Sequence, residues 1–174
     1  MDIINGRATM PTGALAGAAD YFAQVLRPNK EMFFNRPSTL QNALNLAASL
    51  YHFHEWLYID FQAKLEKEFG RRFENKQVFW QAVEAKNPHF GYIRDVANFS
   101  KHVKIDKSHK PSTGMTHIAN TVIVTTGYGH GAYGAGRYGG GTSVALADKG
   151  KLIGFDQCAT ELFNFWDDLL TKMK

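Results

Sequence analysis

Between Ser38 and Gly70, apolar residues recur every three or four positions: Leu40, Ala43, Leu44, Ala47, Leu50, Tyr51, Leu57, Phe61 and Leu65. That period is helical, because residues three and four apart share one face of an α-helix. Ser38 and Gln41 have the spacing of a capping box at the start, and Gly70 is a natural stop at the end. Such a helix is about 45 Å long at 1.5 Å per residue. Its apolar stripe must be covered along that length, and short connections to neighbouring helices favour an up-and-down bundle.

Three more helices fit around it. Leu15, Ala18, Ala19, Phe22, Val25 and Leu26 predict a first helix ending at Pro28. Lys76 to Lys86 predict a third, with Phe79, Ala82 and Val83 inward, broken by Asn87-Pro88. A fourth is predicted from about Pro88 to Val103, burying Phe90, Ile93, Ala97, Ser100 and Val103. The pattern then changes. Thr121–Thr126 and Thr142–Leu146 are β-branched runs, Asp148-Lys149-Gly150 is a turn, and Lys151–Phe155 predicts a third short strand. A last helix is predicted after an Asp156 cap, with Ala159, Leu162, Phe163, Trp166, Leu169, Leu170 and Met173 on its buried face. The expected fold is therefore mainly α. It is an up-and-down bundle of about five helices, with a small antiparallel β insert (117–155) before the last helix. Residues 1–174 are read as one domain.

A composition of 44% hydrophobic and 21% charged residues is that of a globular chain. The net charge of +4, with a pI near 9.1, permits contact with nucleic acid or an acidic partner without demanding it. Cys158 is the single cysteine, so no internal disulfide or cysteine-based zinc site is expected, and its apolar neighbours predict a buried thiol. The opening MDIINGRATMPTGALAG has no basic region leading into an apolar run, so the expected address is the cytoplasm, away from any membrane.

Two polar stripes interrupt the apolar pattern. On the fourth helix Arg94, Asn98 and His102 drift across one face, with Lys101 beside them. Arginine forks onto phosphate, and histidine moves protons near neutral pH. The pair therefore suits phosphodiester chemistry, in which one group steadies the phosphate and the other moves the 2′-hydroxyl proton. The competing reading is the solvated side of an amphipathic helix. On the second helix Asn42, Asn45, Ser49, His52 and Glu55 form a seam; where it meets the first stripe, Glu55 is placed to orient His102 or pair with Arg94. His54 falls on the apolar stripe and reads as a core histidine. His52 and His54 point about 200° apart on a helix and cannot share an ion, so no metal site and no cofactor is expected.

The segment KHVKIDKSHK, residues 101–110, is the densest positive run. Lys101, Lys104, Lys107 and Lys110 recur at every third position, either as phosphate contacts or as a helix C-terminus entering solvent. The loop 127–141 is more than half glycine. GHGAYG and GAGRYG within it match GxGxxG, but that fingerprint requires a following helix, and here a strand follows. Its Tyr and Arg side chains, Arg137 among them, can contact bases, or the loop is simply a hairpin tip.

A helical bundle carrying Arg and His on one inner helix resembles the HEPN superfamily, small bacterial and archaeal bundles that include RNA-cleaving toxins and defence components. The resemblance covers roughly residues 12–103 and 156–173. The family signature places four to six residues between Arg and His; Arg94 and His102 have seven between them. His52-Phe-His-Glu-Trp56 and the segment from Arg94 to His102 are also similar to uncharacterised bacterial proteins with HxxEW-type and RDxANxxKH-type segments. The resemblance implies a homodimer, a protein partner such as an antitoxin, and metal-independent endoribonuclease activity at a shared cleft. In that setting His102 is the acid or base and Arg94 binds phosphate, supported by Asn98, Lys101, Glu55 and His52, with Lys104, Lys107, Lys110 and Arg137 contacting RNA. The alternative class is a non-catalytic interaction module.

Overall fold

The computed structural model describes residues 15–101, 111–126 and 141–174. Among the described residues it is mainly helical, with five helices and a three-stranded antiparallel sheet before the last. Helix α1 runs through Ala18–Tyr21, a π-helical turn Phe22–Leu26, and Arg27–Asn35. Pro28 does not end it. The π turn widens the coil just before the proline, where an ordinary α-helix would press the ring against the carbonyl four residues back.

Helix α2, Leu40–Phe69, has the expected length but is bent at Phe61, whose φ of −133° and ψ of 23° leave the helical range. Its start differs from the expected capping box. Thr39 N–H closes a turn onto the Arg36 carbonyl at 3.1 Å. That turn has Pro37 at its second position and Ser38 at its third, so Ser38 is used up before the helix begins. Thr39 is the N-cap and makes no side-chain cap bond. Gly70 ends the helix in the left-handed region, at φ 65°, as expected. Helix α3, Lys76–Lys86, starts on Asn75, whose side chain accepts from Gln77 N–H at 2.9 Å and Val78 N–H at 3.0 Å.

Helix α4 is His89–Phe99, shorter than expected. Ser100 follows as its C-cap, exposed rather than buried, with its hydroxyl on the Ala97 carbonyl at 2.8 Å. Val103 lies outside the described residues. Strands β1 (Thr121–Thr126), β2 (Gly141–Asp148) and β3 (Lys151–Gly154) pair in that order. The two-residue turn between β2 and β3 holds Lys149 at φ 48° and Gly150 at φ 79°. Two positive φ values match the twist of a tight hairpin. Helix α5, Phe155–Met173, follows at once. Asp156 is therefore inside its first turn instead of capping it, and accepts from Gln157 N–H at 2.9 Å. An acid there still meets the positive end of the helix dipole.

The core gathers where α2, α4 and α5 meet. Every residue predicted for the inner face of α5 is buried, and so is Cys158, whose thiol burial pushes up to about 12. Tyr92 on α4 joins the helices to the sheet, its hydroxyl donating to Asp148 Oδ2 at 2.7 Å. No helix among the described residues is long and apolar enough to cross a membrane.

His54 is a core histidine, 1% exposed, with Nδ1 2.5 Å from the Tyr51 carbonyl. Burial lowers it from 6.5 to about 4, against the smaller opposing pull of that carbonyl. Its folded pKa is depressed, so the unfolded chain binds more protons between these two values. The stability it contributes is whole above pH 6.5 and fades as pH falls towards 4, by roughly 3 kcal/mol. Urea unfolding of wild type and His54→Phe at pH 7 and pH 4.5 checks this. The variant should lose clearly less stability over that interval; equal losses would contradict the assignment.

Candidate functional site

The polar seam of α2 does not act as one network. Asn42 donates to the Met32 carbonyl at 3.1 Å and ties α1 to α2. Asn45 is exposed, and Ser49 is buried with its hydroxyl on the Leu46 carbonyl at 3.0 Å. Only the last two members, His52 and Glu55, stand where α2 meets other charged groups.

Helix α4 packs along α2. That packing delivers Lys101, two residues beyond the helix end, to His52: Lys101 Nζ is 2.7 Å from His52 Nε2. An ammonium can only donate, so Nε2 is the acceptor and the imidazole is neutral with its proton on Nδ1. Burial holds His52 below its ordinary value, and the Lys101 charge lowers it further. One turn along α2, Glu55 pairs with Lys76 at 3.0 Å. Burial pushes the Glu55 carboxyl up, but the Lys76 hydrogen bond and charge outweigh this and leave it ionised below its usual range. The result is a half-buried neutral imidazole beside Lys101, with an ionised carboxylate, paired with Lys76, one turn along the same helix. A neutral imidazole takes up a proton, and a lysine ammonium attracts phosphate oxygen.

Arg94 stands elsewhere. Its guanidinium is buried over the Trp80 ring, 4.2 Å from the centroid. It donates to Ser112 Oγ and lies 4.0 Å from Glu84 Oε2. Tyr51 is also within its reach; burial raises the Tyr51 phenol, and the Arg94 charge and hydrogen bond oppose this. The face of α4 that reads as a polar stripe is thus largely inside the protein, Asn98 being half-buried. Arg94 and Lys101 are two helical turns apart, roughly 10 Å. The structure brings together His52, Lys101, Glu55 and Lys76, and turns Arg94 towards Ser112. His102, Lys104, Lys107, Lys110 and Arg137 lie outside the described residues. Among the described residues no three His, Cys, Asp or Glu side chains gather to hold a metal.

Sequence reasoning did not single out Lys76, Trp80, Glu84, Asp95 or Ser112. Asp95 and Ser112 carried a readable signal: an acid beside Arg94, and Pro111-Ser-Thr-Gly114 with the composition of a turn. Comparison of the chain with protein-family models, with curated proteins and with solved structures finds no match.

Proposed function

We propose that the protein is an RNA-binding, HEPN-like helical protein of the bacterial toxin or defence type, acting in the cytoplasm and cleaving RNA without a metal ion. The observation that supports this is the 2.7 Å approach of Lys101 Nζ to His52 Nε2, which sets a neutral base beside a cation. A phosphate entering there draws the ammonium to itself and frees the imidazole nitrogen. His52 then takes the proton of a ribose 2′-hydroxyl. The 2′-oxygen attacks the adjacent phosphorus, and the bond to the 5′-oxygen breaks to leave a 2′,3′-cyclic phosphate. The leaving oxygen collects a proton from His102, the residue after Lys101 in sequence. Lys101 offsets charge on the phosphate oxygens, while Lys104, Lys107, Lys110 and Arg137 bind the flanking strand. In this reading Arg94 acts at one remove, through the chain it holds at Ser112.

The test is incubation of the purified protein with total RNA in EDTA. Cleavage by His52→Ala is expected to be about a hundredfold slower than by wild type, the usual size for loss of a positioned base. Because His52 is held below the ordinary imidazole value, the acid limb of the rate profile should lie below pH 6.5. Equal cleavage by both proteins, or none by either, removes the catalytic role. One observation favours a second reading, a docking module without catalysis: the guanidinium of Arg94 is already engaged within the protein. RNA binding that weakens steeply with salt, without cleavage, selects that reading.

A further inference from the structure

The two edges of the sheet are built differently. Strand β3 is four residues long and begins with Lys151, just after the Asp148 turn. Short length and charge are how a sheet edge is kept from pairing with another chain. Strand β1 has neither protection. Its six residues, Thr121-Val-Ile-Val-Thr-Thr126, are all β-branched or threonine, with no charge, glycine or proline. It pairs with β2 on one side, and among the described residues no strand lies on the other. Ile123, at its middle, is 53% exposed although its partner across β2, Val144, is 1% exposed.

The sequence of this edge says what covers it. Thr121-Val122-Ile123-Val124-Thr125 reads the same in both directions. We propose that β1 is a homodimer edge, in which two copies pair antiparallel about a two-fold axis at Ile123 and join their sheets into one of six strands. Only a two-fold contact brings a surface against itself. With the axis at Ile123, threonine faces threonine, valine faces valine, and the exposed Ile123 side chains meet on one face. Each is a favoured cross-strand pair. The sheet already contains such a pair, Thr125 Oγ1 and Thr142 Oγ1 at 3.2 Å. A peptide of another protein would have no reason to be matched by a palindrome. Pairing of five residues buries little area, so the dimer is weak and concentration-dependent. This contact gives the homodimer that the HEPN resemblance implies a definite surface, and its test reads association alone, so it can fail while RNA cleavage stands, or the reverse.

Sedimentation of the 174-residue chain over a concentration series should show monomer and dimer. Ile123→Lys sets like charges against each other on the axis and should raise the dissociation constant about tenfold or more. The exposed position leaves the fold intact, checked by unchanged helical circular dichroism. Ile123→Cys supplies the register. Across an antiparallel pair the α-carbons stand about 4.5–5.5 Å apart, inside the range a disulfide spans, so mild oxidation should give a covalent dimer. Thr125→Cys faces Thr121 of the other copy, and its own counterpart is roughly 13 Å along the strand; it should not cross-link. Cys158 is buried and gives little background. A monomer at every concentration, association into species larger than a dimer, or equal cross-linking at positions 123 and 125 would overturn the proposal.

Discussion

Trp166→Ala should cost about 5 kcal/mol of folding stability, the upper range for removing a large buried aromatic. For a chain of this size that is a fall in Tm of about 10–20 °C. Trp166 is 0% exposed. It meets Phe53, Phe90 and Phe165 edge-on, at centroid distances of 5.7, 6.0 and 5.3 Å. Those rings belong to α2, α4 and α5, so one side chain joins the three helices that form the core. Its indole N–H also donates to the Leu50 carbonyl at 3.0 Å. Trp166→Phe separates the two contributions: most ring contacts survive while the hydrogen bond is lost, so about 1–2 kcal/mol is expected. Thermal melts of the two variants check the ratio. A Trp166→Ala loss of 1 kcal/mol or less would mean that the core is not organised around this residue.

The inner face of α5 was legible in the sequence because burial there follows local periodicity. So were the bounds of α3, the stop at Gly70, the core position of His54 and the β-branched strands. Each is decided within a few residues of itself. The misreadings came where two local signals compete. Pro28 signals a stop, but the π turn before it absorbs the ring. Ser38 and Gln41 have capping-box spacing, but Pro37 claims Ser38 for a turn. The polar stripe of α4 failed for a different reason. An arginine among apolar residues reads as a solvated face because charge is costly to bury. Among the partners that make its burial tolerable are Trp80, Glu84 and Ser112, and the last stands 18 residues further along the chain. No periodicity within α4 reports a partner at that distance. The meeting of His52 with Lys101 spans 49 residues and was open to sequence only as a conditional, on the two stripes facing each other.

Asp95→Ala should cost about 4 kcal/mol, through polar groups left without a partner instead of through a cavity. Asp95 is 1% exposed and accepts three hydrogen bonds from one short segment: Ser112 N–H at 3.1 Å, Thr113 N–H at 2.8 Å and Thr113 Oγ1 at 2.8 Å. Thr113 Oγ1 in turn accepts from the N–H of Met115, which is fully buried. Arg94 holds the neighbouring Ser112 hydroxyl, which donates to Glu84 Oε2 at 3.2 Å. Two adjacent residues of α4 therefore latch the chain where it returns towards the sheet. Amide hydrogen exchange locates the effect: in Asp95→Ala the Ser112 and Thr113 amides should lose their protection first, and unchanged protection would exclude the latch. The same experiment decides how Arg94 is used. As part of the latch, Arg94→Ala should expose those two amides and lower stability, while RNA affinity per folded molecule stays the same. If it served chiefly as a phosphate contact, Arg94→Ala would lower RNA affinity and flatten the salt dependence while both amides stayed protected. The orientation of the guanidinium, over Trp80 and onto Ser112, favours the first outcome.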